Sequence, residues 1–156
     1  MKTLVTPFIA IVFTISSFFF ISCGGSNSGN QPTGTDTTTT TAAAVDPMSD
    51  HGIGPVTSIE LAAIDTAMAA KGKATFDTKC VVCHKVNEKL VGPALAGVTT
   101  RRAPEWIMNL MLNTAEMLQK NEAAKALMIE HNNVPMINNE LTQDQAREVL
   151  EYLRTI

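Results

Sequence analysis

The chain reads as an all-α protein, a few helices wrapped about a single core. Three observations predict that class. There are two capping boxes, Thr57-Ser58-Ile59-Glu60 and Thr142-Gln143-Asp144-Gln145; apolar residues recur every three or four positions in several stretches; and no segment alternates as a strand does.

The elements follow in order. Lys2 precedes the apolar run Pro7 to Ile21, closed by Ser22, Cys23 and Gly24. This is the pattern of an export leader over residues 1–22, its apolar run short against the ~20 residues of a membrane span. Phe20-Ile21-Ser22-Cys23-Gly24 resembles a bacterial lipobox, with Phe20 where leucine is usual. That resemblance makes Cys23 the lipidated first residue of the mature protein; the alternative is cleavage nearby, leaving Cys23 a free thiol. Residues 23–46 are rich in Gly, Ser, Asn and Thr and include the run Thr37 to Thr41. They have no apolar period from which to build a core and are expected to be a flexible tether with an average span of about 25 Å. The expectation is an exported protein, tied by lipid to a bacterial membrane with its domain in the periplasm.

Residues 47–156 suit one small domain. Its first helix has two candidate starts, Thr57 and Asp65, and runs through Lys79. Pro104 fits the first turn of a second helix carrying Trp106, Ile107, Leu110 and Met111. Asn113-Thr114 interrupts it, and Ala115 to Glu130 continues the helical period. Thr142 opens a last helix whose apolar face is Ala146, Val149, Leu150 and Leu153. The net charge of −3 argues against nucleic acid as a partner. Five of the six phenylalanines lie in the leader, so Phe76, Trp106 and Tyr152 are the aromatic residues left to the domain. So thin a core calls for an apolar cofactor, and the chain without one is expected to fold poorly.

Cys80-Val81-Val82-Cys83-His84 supplies the cofactor. Two thiols three apart followed at once by an imidazole are what covalent haem c attachment needs: the sulfurs add to the porphyrin vinyl groups and His84 lies under the iron. A zinc knuckle would want a second ligand pair, and beyond Cys83 there are no more cysteines, only His84 and His131. A thioredoxin-like dithiol would want a strand before it, and the flank here is helical. With Cys23 lipidated and Cys80 and Cys83 on one haem, all three cysteines of the chain are accounted for.

At these residues the chain resembles the class I cytochromes c. Gly72 and Phe76, eight and four positions before Cys80, match the family's first helix, and Val149 and Tyr152 match its last. The resemblance implies that these two helices cross closely at Gly72. It further implies that the carbonyl of Pro93, in Gly92-Pro93, orients His84, and that Met136, in Asn132-Asn133-Val134-Pro135-Met136, is the sixth iron ligand. In the family proline commonly follows that methionine; here it precedes it. His131 is the rival ligand, with His51 behind it. Arg101 and Arg102 stand where related cytochromes pair a base with a haem propionate, and Trp106 stands by the same edge. For each of these three the alternative is plain packing or solvation.

A His/Met iron with no vacant position implies an electron carrier and not an enzyme. The alternative is a haem c enzyme or gas sensor with an open or displaceable sixth site. The expected partners are redox proteins: a membrane quinol-oxidising complex as donor, and a terminal oxidase or a periplasmic reductase, such as one for nitrous oxide or nitrite, as acceptor. Lys71, Lys73, Lys79, Lys85, Lys89, Arg101 and Arg102 all precede Ala103. They are expected to form a basic docking rim, so that electron transfer slows as salt rises, the alternative being an ordinary solvated face.

Overall fold

The computed structural model describes residues 46–156. The expectations for the leader, Cys23 and the tether lie outside the described residues, apart from the tether's last residue, Asp46. Five α-helices follow in order: α1 Thr66–Lys79, α2 Pro104–Leu112, α3 Thr114–Lys120, α4 Glu122–Glu130 and α5 Gln143–Leu153, with one turn of 3-10 helix, Val98–Thr100, before α2. Among the described residues there is no strand.

Helix α1 starts at the second of its two candidate positions. The Asp65 carboxylate accepts hydrogen bonds from the amides of Ala67 and Met68 and so caps the first turn. The earlier box at Thr57 starts no helix, because the Ile59 amide is already taken by the Glu105 carboxylate, 2.8 Å away. At α5 the capping box forms as expected, the Thr142 side chain receiving the Gln145 amide and the Gln145 side chain receiving the Thr142 amide.

Helices α1 and α5 form the main helix pair. They meet at Gly72, where a Cβ would collide with the backbone carbonyl of Glu148, so only glycine permits the approach. Phe76 and Tyr152 pack beside the crossing with ring centroids 5.2 Å apart and planes tilted by 56°. Phe76, Trp106, Met108, Met111, Val149, Leu150 and Leu153 form the core between these helices and α2. The expected single run from Ala115 to Glu130 is broken at Asn121, which ends α3 and caps α4 by accepting the Ala124 amide.

Residues 46–65 form an extended strap along α2. Its backbone is held by side chains four apart on that helix and its end: Glu105 takes the Ile59 amide, Asn109 takes the Val56 amide and donates to the carbonyls of Val56 and His51, and Asn113 donates to the carbonyl of Ile53. Where the strap passes into α1, the Asp65 amide donates to Glu151 of α5. Glu151 is 0% exposed and is ion-paired with Arg147 and Arg154.

Candidate functional site

One apolar cavity of about 460 Å³ opens beside the core. All eight residues that the sequence assigned to a haem site in the described region line it: Cys80, Cys83, His84, Pro93, Arg101, Arg102, Trp106 and Met136. They come from the end of α1, the loop after it, the start of α2 and the loop before α5, so distant segments converge on one space.

Helix α1 ends at Cys80, and two turn hydrogen bonds, from the Cys83 and His84 amides to the Cys80 carbonyl, fold the motif back on itself. Both thiols are free and partly buried. Burial pushes the Cys80 thiol up; the Lys79 charge opposes that and Cys83 reinforces it. The His84 ring is fixed twice over. Its Nδ1–H donates to the Pro93 carbonyl at 3.1 Å, which leaves Nε2 free as an electron-pair donor. Gly92 packs against the imidazole, where a Cβ would clash with the ring. Burial lowers the His84 pKa, the Pro93 hydrogen bond works against that, and the charge of His131 adds to the lowering. The net lowering favours the neutral imidazole.

Met136 is half-buried in the loop between α4 and α5. Asn132 and Asn133 open that loop at φ 59° and 57°, and Glu140 closes it at 51°. Asparagine enters this left-handed region at small cost, which is why two of them can reverse the chain directly after α4. His131 also reaches the cavity, 5% exposed, its Nδ1 donating to the Val91 carbonyl at 3.0 Å. It is thus tied to the loop that carries Gly92 and Pro93 against His84. His51 is an exposed strap residue and does not line the cavity.

Arg101 donates to the carbonyls of Ala96 and Ala94 at 2.8 and 3.3 Å. The guanidinium of Arg102 lies 4.8 Å from the centre of the Trp106 ring, a cation–π contact. The indole N–H donates to the Asn121 side chain at 3.1 Å. Trp106 therefore offers the cavity an apolar wall, its single donor already committed.

Three of the seven bases of the expected rim have carboxylate partners and two more lysines donate to carbonyls. Lys71, Lys73 and Lys85 meet Glu148, Asp77 and Glu88, while Lys79 and Lys89 donate to the carbonyls of Asn139 and Glu130. Of the seven bases expected there, Lys79, Arg101 and Arg102 line the cavity.

Sequence reasoning missed Asn121 and the strap's polar partners. The signal was available: Glu105, Asn109 and Asn113 stand four apart in an otherwise apolar helix, and such a polar stripe, here buried at Glu105 and Asn109, needs partners. The residues fit a haem. The wall is apolar, both thiols are unbonded, and Gly92 leaves the imidazole its place.

Comparison with known proteins agrees. The family model described as Cytochrome c matches residues 69–156. Cytochrome c-551 of Stutzerimonas stutzeri is 30% identical over 95 residues, covering 60% of this chain and 85% of that protein. A cytochrome c2 of Rhodopseudomonas palustris is 54% identical over 35 residues, 22% of this chain, and the match spans 30% of the relative's length. Among solved structures, a cytochrome c from Rhodothermus marinus aligns with a TM-score of 0.67 at 43% identity, covering 70% of this chain and 96% of that one.

Proposed function

The chain belongs to the cytochrome c family, and from that premise we propose that it is a one-electron carrier whose haem c is held covalently by Cys80 and Cys83, with His84 and Met136 as axial ligands of the iron. Family membership implies the covalently bound haem and its iron. When bound, that group supplies a one-electron ferric/ferrous couple.

The observation that carries the reading is the convergence of Cys80, Cys83, His84 and Met136 on one apolar cavity. Each side chain has a task there. The Pro93 carbonyl fixes the His84 tautomer and leaves Nε2 for the iron. A thioether at Met136 favours the ferrous state and raises the potential, as suits delivery to an oxidising acceptor. Support for Met136 over His131 comes from its place in the loop just before α5, where the family resemblance puts the axial methionine. Arg101 and Arg102 are the cavity's guanidinium groups and the partners for propionate charge.

The same reading gives the partners as redox proteins, a quinol-oxidising membrane complex upstream and a terminal oxidase or periplasmic reductase downstream. The leader and Cys23 support export and lipid anchoring on the periplasmic side. Labelling with a radioactive fatty acid tests the anchor, and Cys23→Ser should abolish the label. Ligation is tested by absorption spectroscopy of the haem-loaded protein beside Met136→Ala. The far-red thioether-to-ferric band is expected in the parent and absent from the variant. A parent without that band, or a ferrous parent that readily takes up carbon monoxide, would overturn the His/Met assignment in favour of an open or differently ligated iron.

A further inference from the structure

Trp106 is 2% exposed and forms part of the haem cavity wall, yet what fixes its indole lies outside the cavity. The Asn121 side chain stands at a junction of three segments. Its Oδ1 accepts the Trp106 N–H at 3.1 Å and the Ala124 amide at 2.9 Å, and its Nδ2 donates to both Asp50 carboxylate oxygens at 2.9–3.0 Å. The amide has one workable orientation, because two donors face its oxygen and an acceptor faces its nitrogen. Asp50 is itself held in place, accepting the Gly52 amide at 2.9 Å. Gly52, at φ 73°, sits so tightly that a Cβ would meet the Met117 side chain at 3.0 Å and the Trp106 Cα at 3.3 Å. The strap, Asn121 and the indole are therefore one connected polar unit on the outer side of the cavity wall, and Arg102 covers the ring at 4.8 Å.

We infer that Asn121 is a positioning residue for electron transfer: held by Asp50 of the strap, it locks the indole of Trp106 as a dry wall of the haem cavity and so sets the reduction potential. A donor buried without a partner seeks water or a polar group. Freed from Asn121, the indole N–H would turn to solvent or into the cavity and bring polarity with it. A more polar surround favours ferric iron, so the potential falls.

The inference rests on the cavity being the haem's, and covalent haem retention in denaturing gels, scored for parent and variants alike, tests that separately. The informative variant is Asn121→Ser in the haem-loaded protein. Serine keeps an N-cap oxygen for Ala124 and adds no charge, but it is too short to reach the indole. The control is Asn113→Ala, which removes a strap contact at Ile53 and a bond to Glu116 but none made by Trp106, Asn121 or Asp50. Trp106 is the one tryptophan of the chain, so its indole N–H resonance is unambiguous. In Asn121→Ser that proton should exchange with solvent about tenfold faster, as the loss of one buried hydrogen bond implies, and the midpoint potential should fall. In Asn113→Ala the melting temperature should drop while indole exchange and potential stay at parent values. An unchanged potential in Asn121→Ser, or equal shifts in both variants, overturns the inference. If the parent attaches no haem, the functional reading fails instead.

Discussion

Glu151 shows how much a single side chain can carry without touching the functional site. It is fully buried in α5, ion-paired with Arg147 and Arg154, and accepts the Asp65 amide where the strap enters α1. Burial alone would raise its pKa, but the hydrogen bonds from Arg147, Asp65 and Arg154 outweigh that and hold the carboxyl below the ordinary 4.5. A depressed carboxyl contributes stability that is present above its unfolded pKa and lost as pH falls through the folded one. Acid unfolding of the parent should therefore steepen below about pH 4.5, and Glu151→Gln should flatten that limb while costing about 3–5 kcal/mol at neutral pH, the penalty for stranding two paired bases. An unchanged acid limb in the variant would remove Glu151 from that role. Nothing in the sequence marked Glu151, since a glutamate on a terminal helix ordinarily faces water. Gly72, by contrast, was legible, because its place eight positions before Cys80 carries a steric demand that the α1–α5 crossing meets.

Among the elements, α1 and α5 were readable because each begins with a side chain that can satisfy its own first-turn amides. The strap was not readable. A capping box at Thr57 states a local preference, and a distant carboxylate, Glu105, overrode it by taking the Ile59 amide first. The break at Asn121 was hidden for a similar reason, since the helical period passes through it unchanged. Asn109 is the strongest single attachment of the strap, 1% exposed, with one hydrogen bond accepted from Val56 and two donated, to Val56 and His51. Asn109→Ala should lower stability by about 2–3 kcal/mol, because it strands buried backbone groups as well as losing bonds. Denaturant unfolding of the haem-loaded protein measures this. A loss within about 0.5 kcal/mol, as at an ordinary surface site, would mean that the strap does not depend on α2.

Over the whole molecule, the convergence of eight separately assigned residues on one cavity was the most legible feature. The haem motif is contiguous, and its companions stand at positions that the family resemblance marked. A count of lysines along the chain placed a basic rim before Ala103, but the folded chain gives Lys71, Lys73 and Lys85 carboxylate partners of their own. Pairs this exposed contribute little to stability, yet they cancel the long-range field on which steering depends. The rate at which the ferrous protein reduces ferricyanide should therefore vary only shallowly with ionic strength. A steep fall with added salt would restore the rim.

The strap also ties the start of the domain to its far end. It precedes the residues that hold it: Val56 is held by Asn109, Ile59 by Glu105 and Asp65 by Glu151, separations of 53, 46 and 86 residues. Contacts so remote in sequence carry a loop-closure cost, as does the α1–α5 crossing at Gly72 and Glu148. Pro47, whose carbonyl receives the Ala103 amide, forms part of the cavity rim. That side of the cavity is closed by a segment made before the haem motif but held by α2 and α5, both made after it.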